Sequence, residues 1–282
     1  MADENDEQKQ FWEGFAALWV ERQADMDRLF DPVLQETLKR AHLAAGDRVM
    51  DIGCGTGTST VAAAKHVGPT GHATGVDISD PMLIRARDMA QTVSNATFLT
   101  ADAADFPFDE DSFDKVISRF GVMFFVDPVK AFVNIRRSMT AGGTLSMSCW
   151  SALGANPWFQ EPMYAAKTQL GAPPPLDPDD PGPLAFRNID RVTGILDTAG
   201  FQDIHGEAVA LDLTPPGDAR FAARLAASIG PAARTMEHFE GTEEDFDAIA
   251  SSVAEAFRDY ETDAGVFIPA EINFFTARAP SG

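Results

Sequence analysis

Cysteine, positive charge and long apolar runs are all scarce in this chain. Two of its 282 residues are cysteine, Cys54 and Cys149. That is too few for a disulfide framework, so a reducing, cytoplasmic setting is expected. Lys and Arg number 22 against 43 Asp and Glu, a net charge of −21. A surface this acidic repels phosphate backbones and anionic headgroups on average, which argues against nucleic acid or a membrane surface as partner. No stretch approaches the ~20 uninterrupted apolar residues of a membrane span. The first residues, MADENDEQKQ, lack the basic-then-apolar order of a secretion signal. Histidine is sparse as well: His42, His66, His72, His205 and His238. Neither they nor the acids show a ligand spacing such as His-x-x-x-His or paired cysteines, so no metal is expected. What remains is an ordinary globular composition, 45% hydrophobic and 23% charged, long enough for one large core with a modest appendage.

The pattern along the chain alternates. Residues 1–10 are polar and read as loose, and 11–45 read as helical, with Asp31-Pro32 as a helix start. Short apolar runs at 48–52, 72–76, 96–100, 113–118 and 144–150 predict five strands, separated by helical stretches. Asp80-Pro81 and Asp127-Pro128 open two of those helices, and Ala141-Gly142-Gly143 reads as a turn before the fifth strand. Strands alternating with helices predict an α/β fold with a doubly wound, mostly parallel sheet covered on both faces. The rhythm breaks after Trp150. Residues 151–187 are rich in proline and read as an irregular cover segment. A helix over 188–199 and a strand over 201–213 follow. Residues 214–264 then read as an insertion of two helices, the second opened by Thr242-Glu243-Glu244-Asp245, which resembles a capping box. A strand over 266–278 closes the pattern. The organisation expected is an N-terminal helical lid over 1–45 and a main domain over 46–282, with cover segments at 151–187 and 214–264.

The turn after the first strand carries the chemistry. It runs Asp51-Ile52-Gly53-Cys54-Gly55-Thr56-Gly57, small residues that let the backbone approach a ligand at the carboxyl end of a parallel strand, where such folds bind. A phosphate P-loop would need a lysine that is absent here. A dinucleotide loop would place a glycine where Thr58 stands. The Asp-x-Gly-x-Gly-x-Gly pattern of enzymes that use S-adenosylmethionine (SAM) fits without mismatch.

On these residues the chain resembles the class I SAM-dependent methyltransferases. It is most similar to the small-molecule branch that includes the ubiquinone and menaquinone biosynthesis methyltransferases. The likeness is strong over 45–150 and weak beyond. It implies a Rossmann-like sheet of seven strands, the last antiparallel and beside the fifth, with helical lid insertions. It also implies SAM as cofactor, S-adenosylhomocysteine (SAH) as product and a small-molecule acceptor. Asp51, Gly53, Cys54, Gly55 and Gly57 then form the cofactor loop, with Cys54 as a small filler. Asp77, at the tip of the second strand, accepts the ribose hydroxyls. Ile78 and Met82 flank the adenine, and Asp102 and Ala103 receive its polar edge. Ser118 and Arg119 lie beside the methionine moiety, and Trp19 belongs to the N-terminal segment that folds over it. The Asn/Asp-Pro-Pro-Tyr motif of amino-directed nucleic-acid methyltransferases is replaced by Ser118-Arg119-Phe120-Gly121, which favours a small acceptor.

A hydroxyl or protonated-amine acceptor would call for a general base. His238 and Tyr164, in the cover segments, are the weak candidates, with Glu161 beside the latter. Two other readings stay open at this point: a catalytically silent SAM-fold regulatory or assembly protein, and a nicotinamide-dependent oxidoreductase. The acceptor, the methylated atom and the oligomeric state are not specified by the sequence.

Overall fold

The structure, a computed structural model, describes residues 2–281. Three helices come first: α1 (Ala2–Glu21), α2 (Gln23–Leu29) and α3 (Asp31–Ala41). The alternating region follows as β1 (Arg48–Ile52), α4 (Thr58–Val67), β2 (His72–Asp77), α5 (Asp80–Met89), β3 (Ala96–Thr100), β4 (Phe113–Arg119), α6 (Pro128–Ser138) and β5 (Met139–Trp150). Next come α7 (Pro157–Leu170), α8 (Ile189–Thr198) and β6 (Gln202–Leu213). The chain then runs through α9 (Ala219–Ala227), α10 (Gly230–His238), α11 (Glu243–Phe257), a small hairpin of β7 (Glu261–Thr262) and β8 (Gly265–Val266), and β9 (Ile268–Arg278).

One seven-stranded sheet has the order β3-β2-β1-β4-β5-β9-β6. The first five strands pair in parallel, and β9 runs antiparallel to both neighbours. This is the doubly wound arrangement with an antiparallel last strand that the sequence implies. β1 shows why: Val49, Met50, Asp51 and Ile52 are all buried, as in a central parallel strand covered on both faces. The strand order reverses between β1 and β4, and the crevice at that switch point opens at the carboxyl end of β1. No described helix is long and apolar enough to cross a membrane.

Several local expectations are corrected. Residues 2–10 are helical rather than loose, as the beginning of α1. Residues 141–143 are not a turn before β5 but lie inside it. The pairing shifts from Phe113 opposite Met139 to Lys115 opposite Thr144, and the extra residues form a bulge with Gly142 at φ +74°. The segment 151–187 is not wholly irregular, because it contains α7 with Pro162 inside it. The insertion holds three helices rather than two. The capping box at Thr242 is formed with Asp245. Of the three Asp-Pro starts, only Asp127 caps its helix, accepting from the Lys130 amide at 2.9 Å; Phe30 and Ser79 occupy the cap positions of α3 and α5 without a side-chain bond.

The main core spans the sheet and the cover helices. α9 buries Ala222, Ala223, Leu225, Ala226 and Ala227, and α11 buries Ile249, Ala250, Val253 and Phe257. Trp158 of α7, fully buried, stacks on Phe257 with centroids 6.1 Å apart.

Candidate functional site

The glycine turn joins β1 to α4 by three left-handed residues, Gly53 (φ +64°), Gly55 (φ +52°) and Gly57 (φ +89°). Each serves a different need. A Cβ on Gly53 would lie 2.5 Å from the Gly121 Cα, so this position lets the turn press against the exit of β4. A Cβ on Gly57 would meet Ala86 at 2.8 Å and the Phe98 ring at 3.0 Å. At Gly55 the nearest atom would be the Met82 sulfur, 3.7 Å away. Gly55 therefore keeps a face clear, and the left-handed backbone alone demands glycine there.

Asp77 ties the turn to the tip of β2. Its Oδ2 accepts from the Gly55 amide at 2.8 Å and its Oδ1 from the Ser79 amide at 2.9 Å. Burial raises its pKa, and the backbone donors at Ser79, Gly55 and Ile78 counter that. An ionised carboxylate has about four acceptor sites. The backbone donors of the fold use part of that capacity, and the remainder is open to outside donors.

Asp51 lies fully buried at the end of β1. Its Oδ2 accepts from Ser59 Oγ and Thr60 Oγ1, both at 2.6 Å, while its Oδ1 is buried with no partner. Burial pushes its pKa up to about 6, against the pull of the two hydroxyls and of Arg119. Arg119, at the end of β4, has a buried and unpartnered Nη1, and burial lowers its pKa. Its Nη2 lies 3.8 Å from Asp27 Oδ1. Asp27 also accepts from Thr58 Oγ1 at 2.7 Å, so α2 is fastened to both sides of the turn. Next to it, Gln23 donates to the Thr56 carbonyl at 3.5 Å and accepts from Arg85 Nε at 2.7 Å. One buried acceptor and one buried donor of opposite charge, both lacking a partner, match the ammonium and carboxylate of an α-amino acid.

The other sequence candidates fall as follows. Ser118 is a staple: its hydroxyl donates to the Ile52 carbonyl at 2.8 Å and accepts from the Gly121 amide at 3.3 Å. Met82 is buried under Gly55, and Ile78 follows Asp77 partly exposed. Asp102 accepts from the Ala104 amide at 2.8 Å. Ala103 is buried, and its carbonyl accepts from Asn134 at 3.0 Å. Burial holds the Cys54 thiol well above its ordinary pKa, which makes it a filler without nucleophilic character. Trp19 meets Trp12 edge to face at 6.1 Å and packs against the main core. Tyr164 is 52% exposed on α7, its hydroxyl accepting from Gln160 at 3.4 Å. His238 is exposed in the last turn of α10, its ring against Phe239. The structure thus gathers Asp51, the glycines, Asp77, Met82, Ser118 and Arg119 around one crevice, and leaves Tyr164 and His238 on the outside of the cover.

Sequence reasoning missed the support for this crevice. Ser59, Thr60 and Asp27 carry no motif. Nor does any spacing link the members of an aromatic series. Phe120 adopts φ +65°, a costly backbone for a residue with a side chain. Its ring stacks on Trp150 with centroids 4.8 Å apart and planes 6° from parallel. Phe30 meets both edge to face, at 5.3 and 5.9 Å, and Phe159 packs on Trp150 at 4.6 Å. Among the described residues, no group of three or more His, Cys, Asp or Glu side chains is placed to hold a metal.

Residues 43–174 match the family model described as a methyltransferase domain. Over 109 residues the chain is 34% identical to demethylmenaquinone methyltransferase of Staphylococcus aureus strain JH9, a span of 39% of this chain and 45% of that protein. The chain therefore spans less than half the length of the curated relatives it matches. Among solved structures, the YcgJ protein of Bacillus subtilis aligns with a TM-score of 0.55 at 17% identity, covering 88% of this chain and 98% of that one. Phosphoethanolamine N-methyltransferase 2 of Haemonchus contortus, in complex with SAM, aligns with a TM-score of 0.53 at 24% identity, covering 88% of this chain and 52% of that one. At these identities the structural likenesses speak for the fold.

Proposed function

We propose that this chain, whose residues 43–174 match the model described as a methyltransferase domain, transfers the methyl group of SAM to a small-molecule acceptor by in-line displacement. The observation that carries the reading is the pair of unpartnered buried atoms, Asp51 Oδ1 and Arg119 Nη1, set beside a glycine turn that keeps a face clear. In this reading Arg119 holds the cofactor's carboxylate and Asp51 its ammonium, and Asp77 takes the ribose hydroxyls with its remaining acceptor capacity. Asp102 and Ala103 meet the adenine edge, with Ile78 and Met82 on its flanks.

When bound, SAM supplies a methyl group on a positively charged sulfur. The chain's own contribution is orientation and dryness. Holding the acceptor in line contributes up to ~7–11 kcal/mol in favourable cases, and shedding water uncovers the nucleophile. Residues 1–45 act as the lid, held down by Asp27 and Gln23. The segments 151–187 and 214–264 complete the cover. Two buried free thiols support a cytoplasmic place of action, and the charge of −21 supports an acceptor that is not nucleic acid.

Calorimetric titration of the folded chain with SAH is the test. Saturable binding at one site is expected, and absence of binding rejects the reading. Transfer of a labelled methyl group from SAM to any member of an acceptor panel separates an enzyme from a silent module. Thermal protection by NADH instead of SAH would point to the oxidoreductase.

A further inference from the structure

The cover contains a cavity of about 320 Å³ between α1, α9 and α11, within the range of small-ligand sites. Leu18, Phe221, Leu225 and Phe246 give it apolar walls, and Arg22 and Arg224 stand at it. Two guanidinium groups at one apolar cavity are notable in a chain with nearly twice as many acids as bases. Neither is fully engaged. Arg22 lies 3.6 Å from Glu21 and 3.8 Å from Asp25, beyond hydrogen-bond reach and half in solvent, a weak kind of pairing. Arg224 gives one N–H to Asp247 at 2.6 Å and lies over the Phe246 ring at 5.0 Å. That stacking fixes the plane of the fork and leaves further donors for a planar or tetrahedral anion.

Two chains of contacts lead from the cavity's walls toward the glycine turn. Leu18 and Arg22 share one face of the lid, linked by a backbone bond of 2.9 Å. Gln23, the next residue, reaches the Thr56 carbonyl. On the other side, Ser228 lines the cavity, and a Cβ on nearby Gly230 would lie 2.7 Å from the Phe159 ring. Phe159 leads to Trp150, Trp150 to Phe120, and Phe120 to Gly121 against Gly53. We infer that this cavity anchors the acceptor, and that the acceptor is an apolar, ring-bearing molecule with a carboxylate or phosphate group. The anion pairs with Arg22 and Arg224 while the apolar body lies along Leu18, Phe221, Leu225 and Phe246, which orients the acceptor. The inference rests on the methyltransferase reading for its role, but its binding claim is tested apart from it.

The probe is anilinonaphthalene sulfonate, an apolar fluorescent anion, compared with the neutral dye phenylnaphthylamine on the full chain. The anion is expected to bind about tenfold more tightly than the neutral dye. In the double variant Arg22→Gln, Arg224→Gln the two dyes bind alike, with SAH affinity and the circular dichroism spectrum unchanged. Phe246→Ala weakens both dyes together. Naphthoate and naphthyl phosphate displace the anionic dye, and the stronger competitor identifies the anion class. Equal binding of the two dyes to the unaltered chain, a preference that survives the double variant, indifference to Phe246→Ala, or failure of both competitors each overturns the inference. Failure of SAH to bind overturns the cofactor reading and leaves the dye results to be judged alone.

Discussion

The glycine crevice and the helical cover are held by opposite kinds of contact. In the crevice, Asp51, Asp77, Asp27 and Arg119 each bind named atoms of the turn or its flanks, and moving one by an ångström breaks a bond. In the cover, α9 and α11 interlock through alanine and aliphatic faces, where many sequences of similar volume would serve. A site that must hold one invariant molecule is written in directed polar bonds and required backbone angles. Under the proposed function the cover is a chamber for the acceptor, written in volume.

Substitutions can separate the two. The largest effect is expected in the cover. Trp158→Ala removes a fully buried ring stacked on Phe257 and costs about 4 kcal/mol in denaturant unfolding, while the folded fraction still binds SAH normally. Loss of SAH affinity there would break the separation. Next comes Gly53→Ala, where the new methyl collides with Gly121 at a left-handed residue; about 3 kcal/mol is lost and SAH affinity falls with it. Gly55→Ala sharpens the contrast, because open space there limits the stability cost to about 1 kcal/mol while the methyl still occludes the ligand face. Asp77→Ala is expected to weaken SAH at least about tenfold by calorimetry, and unchanged affinity would remove the ribose assignment.

The smallest effect is a pH dependence. With Asp51 raised to about 6 from 3.8, the folded chain keeps a proton that the unfolded chain gives up across that interval. The residue's contribution to stability therefore declines as pH rises through the interval and is level above it. An ammonium partner needs the ionised form, so SAH affinity falls about fivefold from pH 6 to pH 5. Asp51→Asn flattens that part of the profile.

Much of the crevice was legible in sequence because backbone constraints force residue types. Left-handed turns require glycine at 53, 55 and 57, and a donor-rich strand tip requires an acid such as Asp77. The parallel sheet was legible for a similar reason, since β1 is apolar on both faces. The support was not. Asp27 meets Thr58 and Arg119 from 31 residues away and farther, and no local pattern encodes such a distance. Ser59 and Thr60 read as ordinary helix residues until Asp51 is placed beneath them. In the cover, the prolines at 173–175 and within 178–183 made all of 151–187 look irregular although α7 precedes them, with Pro162 tolerated in its second turn, and Gly142-Gly143 suggested a turn where the strand instead bulges.

The position of β9 has a consequence for biosynthesis. It lies between β5 and β6, both of which leave the ribosome before it does. Until Ile268–Arg278 emerges, the two earlier strands have no common neighbour, and the unpaired side of β5 is open to any passing extended peptide. The nascent chain thus spends the translation of three helices as an unfinished sheet, a window in which chaperone capture or intermolecular strand exchange competes with completion.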